Sequence, residues 1–66
     1  MKVLINGNPV DLPEGMTLAE LVAHKALNPA TIITELNFAI IPKDRWPETA
    51  LKENDRLEIV TFVGGG

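Results

Sequence analysis

KVLINGNPVDL, residues 2–12, decides how this chain begins to fold. Lys2 to Asn6 has the aliphatic, β-branched content of a strand, and Asn6-Gly7 is the pair that accepts the positive φ angles of a tight two-residue turn. Pro9 to Leu12 then returns as a second strand, so the chain opens on a β-hairpin. Pro13-Glu14-Gly15 breaks the sheet, and Thr17-Leu18-Ala19-Glu20 reads as a capping box. In that motif the Thr17 hydroxyl meets a free backbone N–H and Glu20 reaches back to the cap. Leu18, Leu21 and Val22 form one apolar stripe of the helix that follows, with Glu20 and His24 turned away, and Asn28-Pro29 closes the element. Thr31 to Asn37 and Ala39 to Ile41 are strand-like, and Pro42 stops the second of them. Lys43 to Glu48 is polar apart from Trp46 and reads as a loop or single turn, with Trp46 a hydrophobic cover over one core edge. Lys52-Glu53-Asn54-Asp55 is a further turn, and Leu57 to Val63 is a strand dense in β-branched residues.

Hairpin, helix, strand, short strand, strand is the order of an α+β domain with one helix packed across a mixed sheet, the β-grasp or ubiquitin-like arrangement. In it the last strand lies beside the first at the sheet centre. Along that strand Leu57, Ile59, Thr61 and Val63 share one face while Glu58, Val60 and Phe62 share the other. A single helix covers a single face. With Leu57 and Ile59 toward the core, Val60 and Phe62 stand on the open face beside Leu4 and form a candidate partner-binding patch. The competing account is ordinary exposure in a small domain, or Phe62 folding over the sheet edge. For the third strand the pairs Ile32/Leu36 and Ile33/Glu35 offer opposite parities, and either suits the helix.

At 66 residues the chain is expected to be one domain near the lower limit for a self-sufficient core. Its 45% apolar and 23% charged residues are those of a globular protein, and a net charge of -3 disfavours phosphate backbones, so no nucleic-acid role is expected. A basic protein partner is the better complement. There is no cysteine, which removes disulfides and thiolate metal sites and suggests a cytoplasmic protein. Met1 leads straight into strand residues, so neither a signal peptide nor a membrane span is expected. With no Ser, Cys or Tyr and a single histidine, the chain lacks the usual sets for nucleophilic catalysis, and it is not expected to be an enzyme. His24 reads as a solvated imidazole without a metal-binding role.

The chain ends on TFVGGG. Gly64, Gly65 and Gly66 have no Cβ atoms and fit a channel too narrow for side chains, and three extended residues reach roughly 10 Å. Residues 1–63 are thus expected to fold and residues 64–66 to form a diglycine-type tail. By themselves three glycines equally suit a frayed end or a linker.

The stretches INGNPV, TLAELV, ELNFAIIPKDRW and TALKENDRLEIVTFVGGG together resemble the ThiS family of sulfur carrier proteins, β-grasp relatives of MoaD and ubiquitin. Ile41-Pro42 followed by Arg45-Trp46, and Asn54-Asp55 before Leu57-Glu58-Ile59-Val60, are its most specific features. Asn54 stands where the family often has Gly, and Asn tolerates the same left-handed conformation. The resemblance implies that the carboxylate of Gly66 is the covalent carrier site. On a ThiF-like adenylyltransferase it would attack ATP to give an acyl-adenylate, and a cysteine desulfurase system would supply the sulfur of a C-terminal thiocarboxylate. A ThiG-like thiazole synthase would receive that sulfur in thiamine biosynthesis. No bound cofactor is implied, since ATP belongs to the partner. Two other readings share the pattern: a MoaD-like carrier for molybdopterin synthesis, and a ubiquitin-like modifier or non-covalent interaction domain.

Overall fold

A computed structural model of the chain describes residues 1–62. Strands β1 (Lys2–Ile5) and β2 (Asn8–Asp11) form the opening hairpin, with Asn6 and Gly7 at φ 50° and 83° in the turn. Pro9 is tolerated because β2 is an edge strand, where a missing N–H interrupts no ladder. The helix α1 (Leu18–His24) follows, then β3 (Ile32–Leu36), the two-residue β4 (Ala39–Ile40), a 3₁₀ helix over Lys43–Glu48, and β5 (Arg56–Thr61). The sheet order is β2-β1-β5-β3-β4, with β5 parallel to β1 and antiparallel to β3. This is the mixed, one-helix β-grasp sheet expected from the element order.

The start of α1 follows its sequence signal closely. Glu20 N–H donates to Thr17 Oγ1 at 3.1 Å and Thr17 N–H to Glu20 Oε1 at 2.8 Å, completing the capping box. The end differs from the sequence expectation, because the helix closes at His24 rather than running to Asn28. Ala26 takes a φ of 55°, and the Ala26 and Leu27 N–H groups donate back to the Ala23 and Val22 carbonyls at 3.0 and 3.1 Å. That is a Schellman closure built on alanine where glycine is the usual residue. A short 3₁₀ turn over Pro29–Thr31, capped by the Asn28 side chain, then leads into β3.

Core packing also settles the parity of β3. Ile32 and Thr34 are buried under α1 together with Val3, Ile5, Leu18, Leu21, Leu57 and Ile59, whereas Ile33 lies on the open face. Thr34, a polar residue in this core, is satisfied by Trp46. The indole Nε1–H lies 3.0 Å from both Thr34 Oγ1 and the Ile41 carbonyl, and Thr34 Oγ1 donates to that carbonyl at 3.2 Å. Trp46 therefore does more than cover the edge, since it supplies the donor that lets a hydroxyl be buried.

Candidate functional site

β5 sits at the centre of the sheet because both of its neighbours are clamped to it by asparagines at turns. Asn6 donates from Nδ2 to the Ile59 carbonyl at 3.2 Å and accepts from the Ile59 N–H at 2.8 Å, so a side chain extends the β1–β5 ladder. Asn37, at φ 50°, accepts from the Arg56 N–H at 2.9 Å and donates to Asp55 Oδ1 at 3.0 Å. Asn54 has a φ of 69° in the turn before β5, the left-handed geometry expected of it. Held on both sides, β5 keeps its pairing to its last residues. Phe62 is the last described residue and its N–H still donates to the Thr31 carbonyl at 2.9 Å.

Gly64, Gly65 and Gly66 lie outside the described residues, as does Val63. The partner-binding residues expected from the sequence are within them. Val60 is 51% and Phe62 42% exposed on the helix-free face, and Leu4 is half-buried one strand away, opposite Arg56. The structure brings further residues to the same face. Ile33 is directly opposite Val60, Ile40 directly opposite Glu35, and Glu35 directly opposite Glu58. Ile40 is 66% exposed and Phe38, at the tip of the β3–β4 hairpin, 77%. These residues escape a sequence reading because β3 offers isoleucine on both faces and Asn37-Phe38 does not look like a turn. The pairing of Asn37 with Phe38, both at positive φ, is the hairpin turn that places Ile40 over Glu35. Phe38 in turn lies under the Arg56 guanidinium, whose carbon is 5.5 Å from the ring centroid, within cation–π range.

The open face is therefore a layered surface: Leu4, Arg56 and Phe38 in one row, Glu58, Glu35 and Ile40 in the next, then Val60 and Ile33, with Phe62 nearest the outgoing end. His24 lies exposed on α1, and no group of three His, Asp or Glu residues that could hold a metal ion occurs among the described residues. A separate apolar groove between α1 and the Lys43–Glu48 turn is lined by Ala19, Val22, Ala23, Leu27, Trp46 and Pro47 on the other side of the molecule.

Comparison with known proteins agrees with this architecture. The ThiS family model matches residues 3–66. The Sulfur carrier protein ThiS of Bacillus subtilis is 44% identical over 50 residues, covering 76% of each chain. The Thiazole synthase of Paramagnetospirillum magneticum is 35% identical over 66 residues, all of this chain but 20% of that protein, so the chain spans about a fifth of the length of that larger relative. The crystal structure of the thiamine biosynthesis protein ThiS from Geobacter metallireducens superposes over the full length of both chains with a TM-score of 0.85 at 29% identity. By family model, sequence relatives and fold together, the chain belongs to the ThiS family.

Proposed function

We propose that this chain is a sulfur carrier of thiamine biosynthesis, a covalent substrate of partner enzymes and not itself a catalyst. The observation that carries the reading is the match to the ThiS family across residues 3–66, a span that includes the closing glycines. In this reading the Gly66 carboxylate attacks the α-phosphorus of ATP on a ThiF-like adenylyltransferase and pyrophosphate leaves. The resulting acyl-adenylate carries AMP as a leaving group, which the bare carboxylate lacks. A persulfide from a cysteine desulfurase system attacks the acyl carbon and displaces AMP, giving an acyl disulfide. A thiol then cleaves the S–S bond and leaves the thiocarboxylate on Gly66. A ThiG-like thiazole synthase consumes that sulfur. Gly64 and Gly65 form the approach arm, and the open sheet face with Leu4, Val60 and Phe62 docks the adenylating partner.

The absence of cysteine from the sequence fits this chemistry, because the sulfur is held on the main chain rather than on a thiol. Intact-mass spectrometry after incubation with the adenylating enzyme, ATP and a sulfur source tests the reading. A gain of about 16 mass units, one oxygen replaced by sulfur, that is absent when Gly66 is deleted supports it. High-mass adducts on lysines of other proteins would instead favour the modifier reading.

A further inference from the structure

Glu35 and Glu58 face each other directly across β3 and β5 on the open side of the sheet. Side chains opposed in this way have Cβ atoms about 5 Å apart, and like charges so placed repel. A stabilising sheet would put an opposite charge at one of these positions. Among the described residues neither carboxylate takes part in an ion pair. Arg56 is two residues before Glu58 on the same face of β5 and is the nearest cation along the strand, yet its guanidinium stacks on Phe38. Phe38 holds a φ of 72°, which a bulky L-residue adopts only at a cost. Two unfavourable features thus coincide on one face: an unrelieved acidic pair and a strained aromatic. Apolar side chains flank the pair, with Val60 and Ile33 on one side, Leu4 and Phe38 on the other and Ile40 at its end.

We propose that Glu35 and Glu58 are the specificity-determining pair of this docking face, receiving one basic side chain of the adenylating partner between the two apolar rows. The proposal rests on the carrier reading above and adds the chemistry of the contact. A guanidinium matches the site, because its planar fork of N–H donors can bridge two carboxylates carried on directly opposed residues. The apolar rows exclude water around that contact and so strengthen it. Binding then relieves the repulsion that the free carrier carries, and specificity arises because a partner with an acid or an aliphatic group at that point leaves the pair uncompensated.

The signature is a variant that gains stability while it loses function. Glu35→Gln with Glu58→Gln removes the repulsion without changing shape, so the thermal midpoint rises by roughly 1–5 °C. In the sulfur-loading assay with the adenylating enzyme, the same variant raises KM for the carrier about 10- to 100-fold with kcat little changed, and the salt dependence of KM flattens. Asp44→Asn with Glu48→Gln, both on the Lys43–Glu48 turn, removes the same two charges away from the sheet face, serves as the net-charge control and leaves KM as in the wild type. If the wild type loads and the double variant is stabilised but keeps its KM, or if its thermal midpoint falls, the proposal is overturned. If the wild type itself takes up no sulfur, the carrier reading fails and this inference falls with it.

Discussion

Leu57 and Ile59 on one side of β5, and Glu58 and Val60 on the other, alternate along four consecutive residues, yet the two sides obey different rules. On the helix side, among the described residues, the buried polar side chains are matched. Leu57 is packed against the other core aliphatics, and the buried Thr34 hydroxyl has both a donor and an acceptor partner. On the open side two carboxylates oppose each other, an aromatic holds a left-handed backbone, and Val60, Ile33, Ile40 and Phe62 face solvent. The difference separates what folds the domain from what the domain presents. A surface left unoptimised at several neighbouring positions reads as one shaped by another molecule.

Substitutions on β5 and its neighbours separate the two faces by size of effect. Leu57→Ala leaves a cavity at the sheet centre and is expected to cost about 3–5 kcal/mol, as buried leucine truncations do. A domain this small holds roughly 3–10 kcal/mol in all, so urea unfolding followed by circular dichroism should show a largely or wholly lost transition. Asn6→Ala removes two hydrogen bonds to Ile59 and a residue suited to positive φ, with an expected loss of about 2 kcal/mol. Asn6→Gly separates the two effects, since it keeps the backbone freedom and loses only the clamp. Trp46→Phe removes the indole donor from Thr34 and the Ile41 carbonyl and should lower stability by about 1–2 kcal/mol in the same measurement. A Trp46→Phe variant as stable as the wild type would show that the buried hydroxyl does not need its indole partner.

The open face should respond in the opposite manner. Val60→Ala and Phe62→Ala are expected to cost about 1 kcal/mol, well below a core truncation, while raising KM in the loading assay, because each residue is only about half buried in the free domain. Unchanged KM for both variants would abandon the patch. The smallest effect belongs to the end of α1. Ala26→Gly relieves a φ of 55° and should add about 0.5 kcal/mol, read as a small rise in the thermal midpoint with loading unaltered.

The parts legible in the sequence are those whose chemistry is local. Asn6-Gly7 names its own turn, Thr17 and Glu20 name their own cap, and the alternation Leu57, Glu58, Ile59 sorts the faces of β5. The parity of β3 was not legible, because Ile32 and Ile33 are equally apolar and the choice is made by tertiary packing, with the Trp46 indole satisfying the Thr34 hydroxyl that this parity buries. The helix ends earlier than its sequence signals suggest for a related reason. Ala26 carries no turn signal, and its left-handed conformation is imposed by the closing bonds to Val22 and Ala23. The facing glutamates needed the β3–β5 register, which no local pattern contains. The glycines were legible as a pattern, and residues 63–66 lie outside the described part of the molecule.

The central position of β5 has a consequence in time. β1 and β2 can pair as soon as they are made, and so can β3 and β4, but the strand that joins these hairpins into one sheet is synthesised after both. Until Arg56–Thr61 has left the ribosome, the inner edges of β1 and β3 have no partner and α1 has only an incomplete floor to rest on. Pairing β5 with β1 closes a loop spanning most of the sequence and is the non-local contact the sheet depends on. Strand edges left open before β5 docks are a pairing hazard, which the central place of β5 removes once the sheet is complete.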